Sequence, residues 1–389
     1  MMRSLPEAAV LPLPGYPTRR PPPATLGALP WGPWLSLVAL ALLVKLAIAA
    51  VGLAIVGTAP DPVTALASQW IHWDAPHYLS IAEFGYARSG DLRNLIAFFP
   101  LYPALIQALA LSGLPLWVAA IVLNNVGGLL ATILLYEIAR SEGSDPAAFR
   151  AAVLFNVFPT GYFLFNGYTE GVFGAFAFGA VLAARRERWL LAGALGGLAA
   201  ATRLTGLALV PFLAVEVWMA RRRLRRVGEA VLAVLLPAGG LLVYLAVNWL
   251  VLGDALAFVQ VQRDHWYHRL SAPWVGLSEA IRGIAWRAPW EKITVGASEL
   301  IGGVTVYVTT AFAALRLRPA DAAYAAVLTV LTTFLPFWLS IPRYLLAMFP
   351  LFLLLGRIRS LAVQVALTAV FLTSLLVFSV AFARGFWAF

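Results

Sequence analysis

The chain has 389 residues, 61% hydrophobic and 12% charged, with a formal net charge of +10 and a mean hydropathy of +0.84. A soluble domain carries about 25% charged residues, so these charges cannot coat a folded surface in water, and a soluble fold is excluded. The positive charge does not point to nucleic acid, because the arginines sit in short gaps between apolar runs and form no basic face larger than a loop. With no cysteine, disulfides, thiol catalysis and cysteine-based zinc sites are excluded as well.

Residues 1–33 hold Pro12, Pro14, Pro17, Pro21, Pro22, Pro23, Pro30 and Pro33. Such a segment reads as a disordered cytoplasmic tail, and it lacks the layout of a cleavable signal peptide. Residues 34–389 form the transmembrane domain. The run 34–57 exceeds the ~20 residues needed to cross a bilayer and reads as an uncleaved first span, its N-terminal side held in the cytoplasm by Arg19 and Arg20. Lys45, midway along it, is expected to pair with a neighbouring span or to face a cavity.

A first outer loop, about 58–113, mixes Trp70, Ile71, Trp73, Tyr78 and Phe84 with His, Asp and Glu, the composition of a segment at headgroup depth. Pro76 fits a first helical turn, and Tyr78, Ile81, Ala82 and Gly85 then share one face of a short interfacial helix. Residues 98–111, with Pro100 and Pro103 near their start, read as a non-crossing segment on the outer side. Further spans are expected at 114–139, 149–163, 171–184, 189–202, 204–219, 227–252, 293–315, 322–339, 345–355 and 361–383, roughly eleven in all. A polar outer loop, about 253–292, interrupts them. This parity puts the clusters Arg185–Arg186–Arg188, Arg221–Arg226, Arg316–Arg318 and Arg357–Arg359 on the cytoplasmic side. The fold class is an all-α polytopic membrane protein of the inner (plasma) membrane.

The same parity gathers Asp74, Glu83, Glu170, Arg203 and Arg343 on the outer side, with Arg263, Asp264, His265, His268 and Arg269 in the large loop. A carboxylate can take a proton from an acceptor hydroxyl, and guanidinium groups can hold a phosphate leaving group. Carboxylates and arginines at a water–lipid boundary therefore suit a reaction on a lipid-linked phosphate. Each has a plainer reading: Asp74 as a helix cap, Glu170 as a solvated turn residue, the arginines as interface anchors, His265 and His268 as wet-loop residues, Asn124 and Asn125 as interhelical hydrogen-bonders.

The run Trp73 to Tyr86 (Trp-Asp-Ala-Pro-His-Tyr-Leu-Ser-Ile-Ala-Glu-Phe-Gly-Tyr), followed by Phe-Phe-Pro-Leu-Tyr-Pro from Phe98 to Pro103, resembles the PIG-V family, that of GPI mannosyltransferase II and its bacterial relatives. Tyr168–Thr169–Glu170, Thr202–Arg203 and Pro342–Arg343–Tyr344 are similar to the family in the same order. The resemblance implies the architecture of the GT-C glycosyltransferases and an inverting transfer of mannose from a polyprenyl-phosphate sugar donor at the outer, periplasmic face. By that resemblance Asp74 is the candidate general base, with Glu170 assisting it or orienting the acceptor. Arg203 and Arg343 are candidates for the donor phosphate, and His77, Tyr78, Glu83, Tyr168 and Tyr344 for substrate binding. No cofactor and no metal are expected, since arginines can neutralise a singly charged phosphodiester. The arginine- and alanine-heavy composition is that of a GC-rich bacterial genome, where a GPI acceptor is not expected, so the acceptor stays open among glycolipid, cell-envelope glycan and protein hydroxyl. Two other classes of function compete: a lipid or glycan transporter using Lys45 and Arg203 as a path, and a non-catalytic partner of another glycosyltransferase.

Overall fold

In lipid a backbone must satisfy its own polar groups, which helices do within one segment. The computed structural model describes residues 31–56, 65, 67 and 69–389, and among them no strand occurs. The proline-rich tail and the start of the first outer loop lie outside the described residues. In chain order the helices are α1 (Trp31–Val56), α2 (Asp74–Phe84), α3 (Leu101–Ala110), α4 (Leu116–Glu142), α5 (Asp145–Asn156), α6 (Glu170–Arg185), α7 (Trp189–Thr202) and α8 (Leu209–Ala220). They continue with α9 (Val227–Leu252), α10 (Ala257–Asp264), α11 (Pro273–Trp286), α12 (Ser298–Arg316), α13 (Pro319–Thr333), α14 (Phe349–Gly356) and α15 (Leu361–Ala383). This is an all-α multi-pass membrane protein.

Among the described residues, five helical stretches are long and apolar enough to cross by themselves: Trp31–Ala54, Leu116–Glu142, Val227–Leu252, Pro289–Arg316 and Leu361–Ala383. The other six expected segments are the shorter helices α5 to α8, α13 and α14. The longest of these, α6, has 16 residues, a rise of about 24 Å against a hydrocarbon core of about 30 Å. They stop short where the chain turns irregular, at 157–169, around Arg203 and at 334–340. Irregular backbone is tolerated at membrane depth only where protein or a cavity satisfies it.

Around 163–166 that satisfaction is visible residue by residue. Asn124 Nδ2 donates to the carbonyls of Phe163 (2.6 Å) and Asn166 (2.8 Å), and Asn125 Nδ2 donates to Phe165 O (2.8 Å). Lys45 Nζ reaches from α1 to Leu164 O (2.7 Å) and Asn125 Oδ1 (2.9 Å). The amide of Gly171 donates back to Asn124 Oδ1 at 2.6 Å. Helices α4 and α6 cross so closely there that a Cβ on Gly171 would lie 2.1 Å from Asn124 O, the small-residue contact typical of membrane helices.

Residues 91–97 and 101–110 form two short helices meeting at 111°, with the break at Phe98–Phe99–Pro100, where a ring replaces an amide donor. The loop 253–292, expected to be a polar loop, instead contains α10, α11 and the start of the Pro289–Arg316 helix. Along α11, Trp274, Leu277 and Ile281 are exposed while Gly276 and Ala280 are buried. Polar and apolar residues there alternate at the helical period, so a polar composition concealed an amphipathic helix.

At the far end of α6 from Glu170, the arginines of separate sequence clusters meet. Arg185 binds Asp321 (2.7 Å) and Glu142 (2.7 Å), Arg357 binds Glu142 (3.1 Å), and Arg318 binds Glu216 (2.8 Å). Helices α6, α7, α8 and α13 each run between this network and the opposite end, where the candidate site lies.

Candidate active site

The site begins with a strained turn. Trp73 has φ +56°, a conformation that costs a bulky residue about 1–3 kcal/mol and that clusters at functional sites. The turn starts α2 at Asp74. Tyr168 holds it: the Asp74 amide donates to the Tyr168 hydroxyl (3.2 Å), which donates to His72 O (3.0 Å). Along α2, Tyr78, Ile81 and Ala82 pack inward, as the spacing anticipated, and Ala75 joins them. Gly85 is not part of that face; it ends the helix with φ +73°.

Four charges from four separate parts of the sequence form a chain. Arg343 Nη1 donates to Asp74 Oδ2 at 2.9 Å, and Arg343 Nε lies 3.3 Å from Glu170 Oε1. Arg203 also binds Glu170 Oε1, and its Nη1 is 3.0 Å from the Thr169 hydroxyl. The guanidinium of Arg343 sits over the rings of Phe163 (5.3 Å), Tyr168 (5.4 Å) and Tyr344 (5.6 Å); that of Arg203 lies over Tyr344 at 5.2 Å. Buried charges persist only when paired, and two carboxylates here balance two guanidiniums.

This chain borders a cavity of about 570 Å³. Asp74, His77, Tyr78, Arg203, Arg343 and Tyr344 line it. Glu170 and Tyr168 stand behind its wall: Glu170 holds both arginines, and Tyr168 supports the Asp74 turn. Glu83 does not join them; it is exposed and does not line the cavity. Burial pushes the His77 imidazole below its ordinary value against the pull of the Asp74 carboxylate, and burial lowers His268 against the same carboxylate. In both rings burial thus outweighs the carboxylate and disfavours the charged form. Among the described residues, no three His, Asp or Glu side chains gather into a group that could hold a metal ion.

The contributions of four residues escaped the sequence reading. His268 and Arg269 were noted only as loop residues, yet both line the cavity. Trp387 enters from beyond the last span: Gly385, with φ +75°, turns the chain back and sets the Trp387 ring 5.1 Å from that of Trp73. Glu299 holds the turn before Arg343; its signal was its isolation as the one charged residue between 293 and 315.

The sequence profile of the family described as mannosyltransferase (PIG-V) matches residues 53–263, more than half of the chain. The chain belongs to the PIG-V mannosyltransferase family. GPI alpha-1,6-mannosyltransferase 2 of Rattus norvegicus is 34% identical to this PIG-V chain over 168 residues, covering 40% of the chain and 33% of the rat protein. The Homo sapiens protein of that name is 34% identical over 153 residues, 36% of this chain and 30% of its own length. The PIG-V chain thus spans about a third of the length of the curated relatives it matches. Among solved structures, ArnT from Cupriavidus metallidurans bound to undecaprenyl phosphate superposes with a TM-score of 0.52 at 19% identity, over 88% of this chain and 64% of ArnT. The same ArnT in the apo state gives 0.51 at 19% identity, over 86% and 62%. This likeness shows that the PIG-V chain shares the fold of ArnT.

Proposed function

We propose that the chain transfers mannose from a polyprenyl-phosphate mannose to a hydroxyl of a lipid-linked or cell-envelope acceptor, at the outer face of the membrane and with inversion at the anomeric carbon. One observation carries this reading: a carboxylate, Asp74, and a buried guanidinium, Arg343, face the same cavity 2.9 Å from each other. A donor phosphodiester entering the cavity competes with Asp74 for Arg343 Nη1. Bound there, with Arg203 beside it, the phosphate becomes the leaving group, and the released Asp74 carboxylate is free to act as base. Asp74 takes the acceptor proton, the acceptor oxygen bonds to the anomeric carbon from the far side, and the bond from that carbon to the phosphate oxygen breaks. Glu170 keeps both guanidiniums aimed at the phosphate. The undecaprenyl phosphate bound to ArnT supports a lipid-phosphate donor for this fold.

Membranes containing the chain, supplied with polyprenyl-phosphate mannose labelled in the sugar, should move label into an endogenous acceptor; membranes from a deletion strain should not. Equal incorporation in both would overturn the reading. Sidedness has its own check. The chain has no cysteine, so Glu83→Cys, exposed and outside the cavity lining, gives a single thiol. A membrane-impermeant maleimide should label it in intact cells. Labelling only after the cells are opened would put the site on the cytoplasmic side.

A further inference from the structure

Arg343 is aimed by a turn that is itself unfavourable. Ser340, three residues earlier, sits at φ +66°, where a side chain is rarely found. What holds that turn is one face of α12. Glu299, 2% exposed, accepts the Ser340 amide on Oε1 (2.5 Å) and the Ile341 amide on Oε2 (3.0 Å). Gly302 and Gly303 lie three and four positions on, the same helix face. A Cβ on Gly303 would meet the Trp338 ring at 2.2 Å, and one on Gly302 would meet Pro342 at 3.2 Å. The face is therefore shaped for 338–342: two acceptors for its two free amides and a hollow for Trp338 and Pro342. Glu299 itself does not line the cavity.

We propose that Glu299 is the positioning residue for Arg343, fixing the Ser340–Ile341 turn so that the guanidinium meets both Asp74 and the donor phosphate. This rests on the reading of Arg343 as a phosphate-holding group. A glutamine at 299 keeps the shape but replaces one acceptor with an N–H₂ facing a backbone N–H. One amide is then left unpaired and the turn is released.

The test is a double-mutant cycle on the binding of polyprenyl-phosphate mannose to purified protein in nanodiscs, with wild type, Glu299→Gln, Arg343→Ala and the double variant. Glu299→Gln is expected to weaken binding by about tenfold, and adding it to Arg343→Ala should change binding by less than about twofold, because residues acting through one another are not additive. Independent, multiplicative losses would assign Glu299 a general packing role and overturn the proposal, as would unchanged binding in Glu299→Gln. Wild-type binding in Arg343→Ala alone would instead sink the phosphate reading, a separate outcome. Glu299→Asp, which keeps the charge but shortens the reach, runs through the same cycle where the glutamine variant does not fold. The same non-additive loss is expected, and additivity counts against the proposal.

Discussion

Asp74→Asn is expected to lower mannose transfer by roughly 10²- to 10⁴-fold, the contribution of a positioned general base, while donor binding survives. The amide is the size of the carboxylate, and its oxygen can still accept from Arg343, so the ion pair at 2.9 Å becomes a hydrogen bond from a charged donor to a neutral acceptor. The turn at Trp73 is held by backbone contacts to Tyr168, which the substitution leaves alone. What disappears is the capacity to take a proton. Label transfer into membrane acceptors, beside binding of the same labelled donor, separates the two: lost transfer with retained binding is the expected pattern. Full transfer by the asparagine variant would remove Asp74 from the mechanism.

The largest effect on stability is expected at the other end of the bundle. The Arg185 side chain is 3% exposed and bridges Asp321, 0% exposed, and Glu142, 9% exposed. Arg185→Ala leaves two buried carboxylates without their shared cation, a loss of about 3–5 kcal/mol by analogy with broken buried pairs. The midpoint of thermal unfolding in detergent should fall by many degrees. Arg223→Ala is the control, since its pair with Glu187 is 3.8 Å long and exposed, worth at most about 1 kcal/mol. Equal midpoints for the two variants would show that the network does not hold the helices together.

The helices were largely legible because apolar runs and proline positions are local. The face of α2 followed from Tyr78, Ile81 and Ala82 at helical spacing. By the same reasoning Glu83 could have been set aside: nine positions from Asp74, at about 100° per residue, put it on the opposite side of the helix. Asp74, Arg203 and Arg343 could be chosen by residue type and by likeness to a family. Their pairing could not, because Asp74 and Arg343 lie 269 positions apart and no periodicity reports such a contact. The division of labour was hidden for the same reason: Glu170 serves the arginines rather than facing the cavity, which depends on how α6 meets Arg203. Trp387 was illegible because a chain reversal at Gly385, not a span, delivers it.

The ammonium of Lys45 has an implication for biogenesis. It sits on α1, and its carbonyl partner, Leu164, is made 119 residues later. A lone lysine at the centre of a membrane helix disfavours insertion by about 2.5–3.5 kcal/mol, a cost the leucine- and alanine-rich remainder of α1 must carry during synthesis. Once the segment containing Leu164 arrives, the waiting charge gains its partners and the segment gains a fixed neighbour. The lysine of α1 thus gives the turn that leads to Glu170 a fixed point to dock on, and the cluster of Asp74, Glu170, Arg203 and Arg343 closes only when Arg343, made later still, arrives.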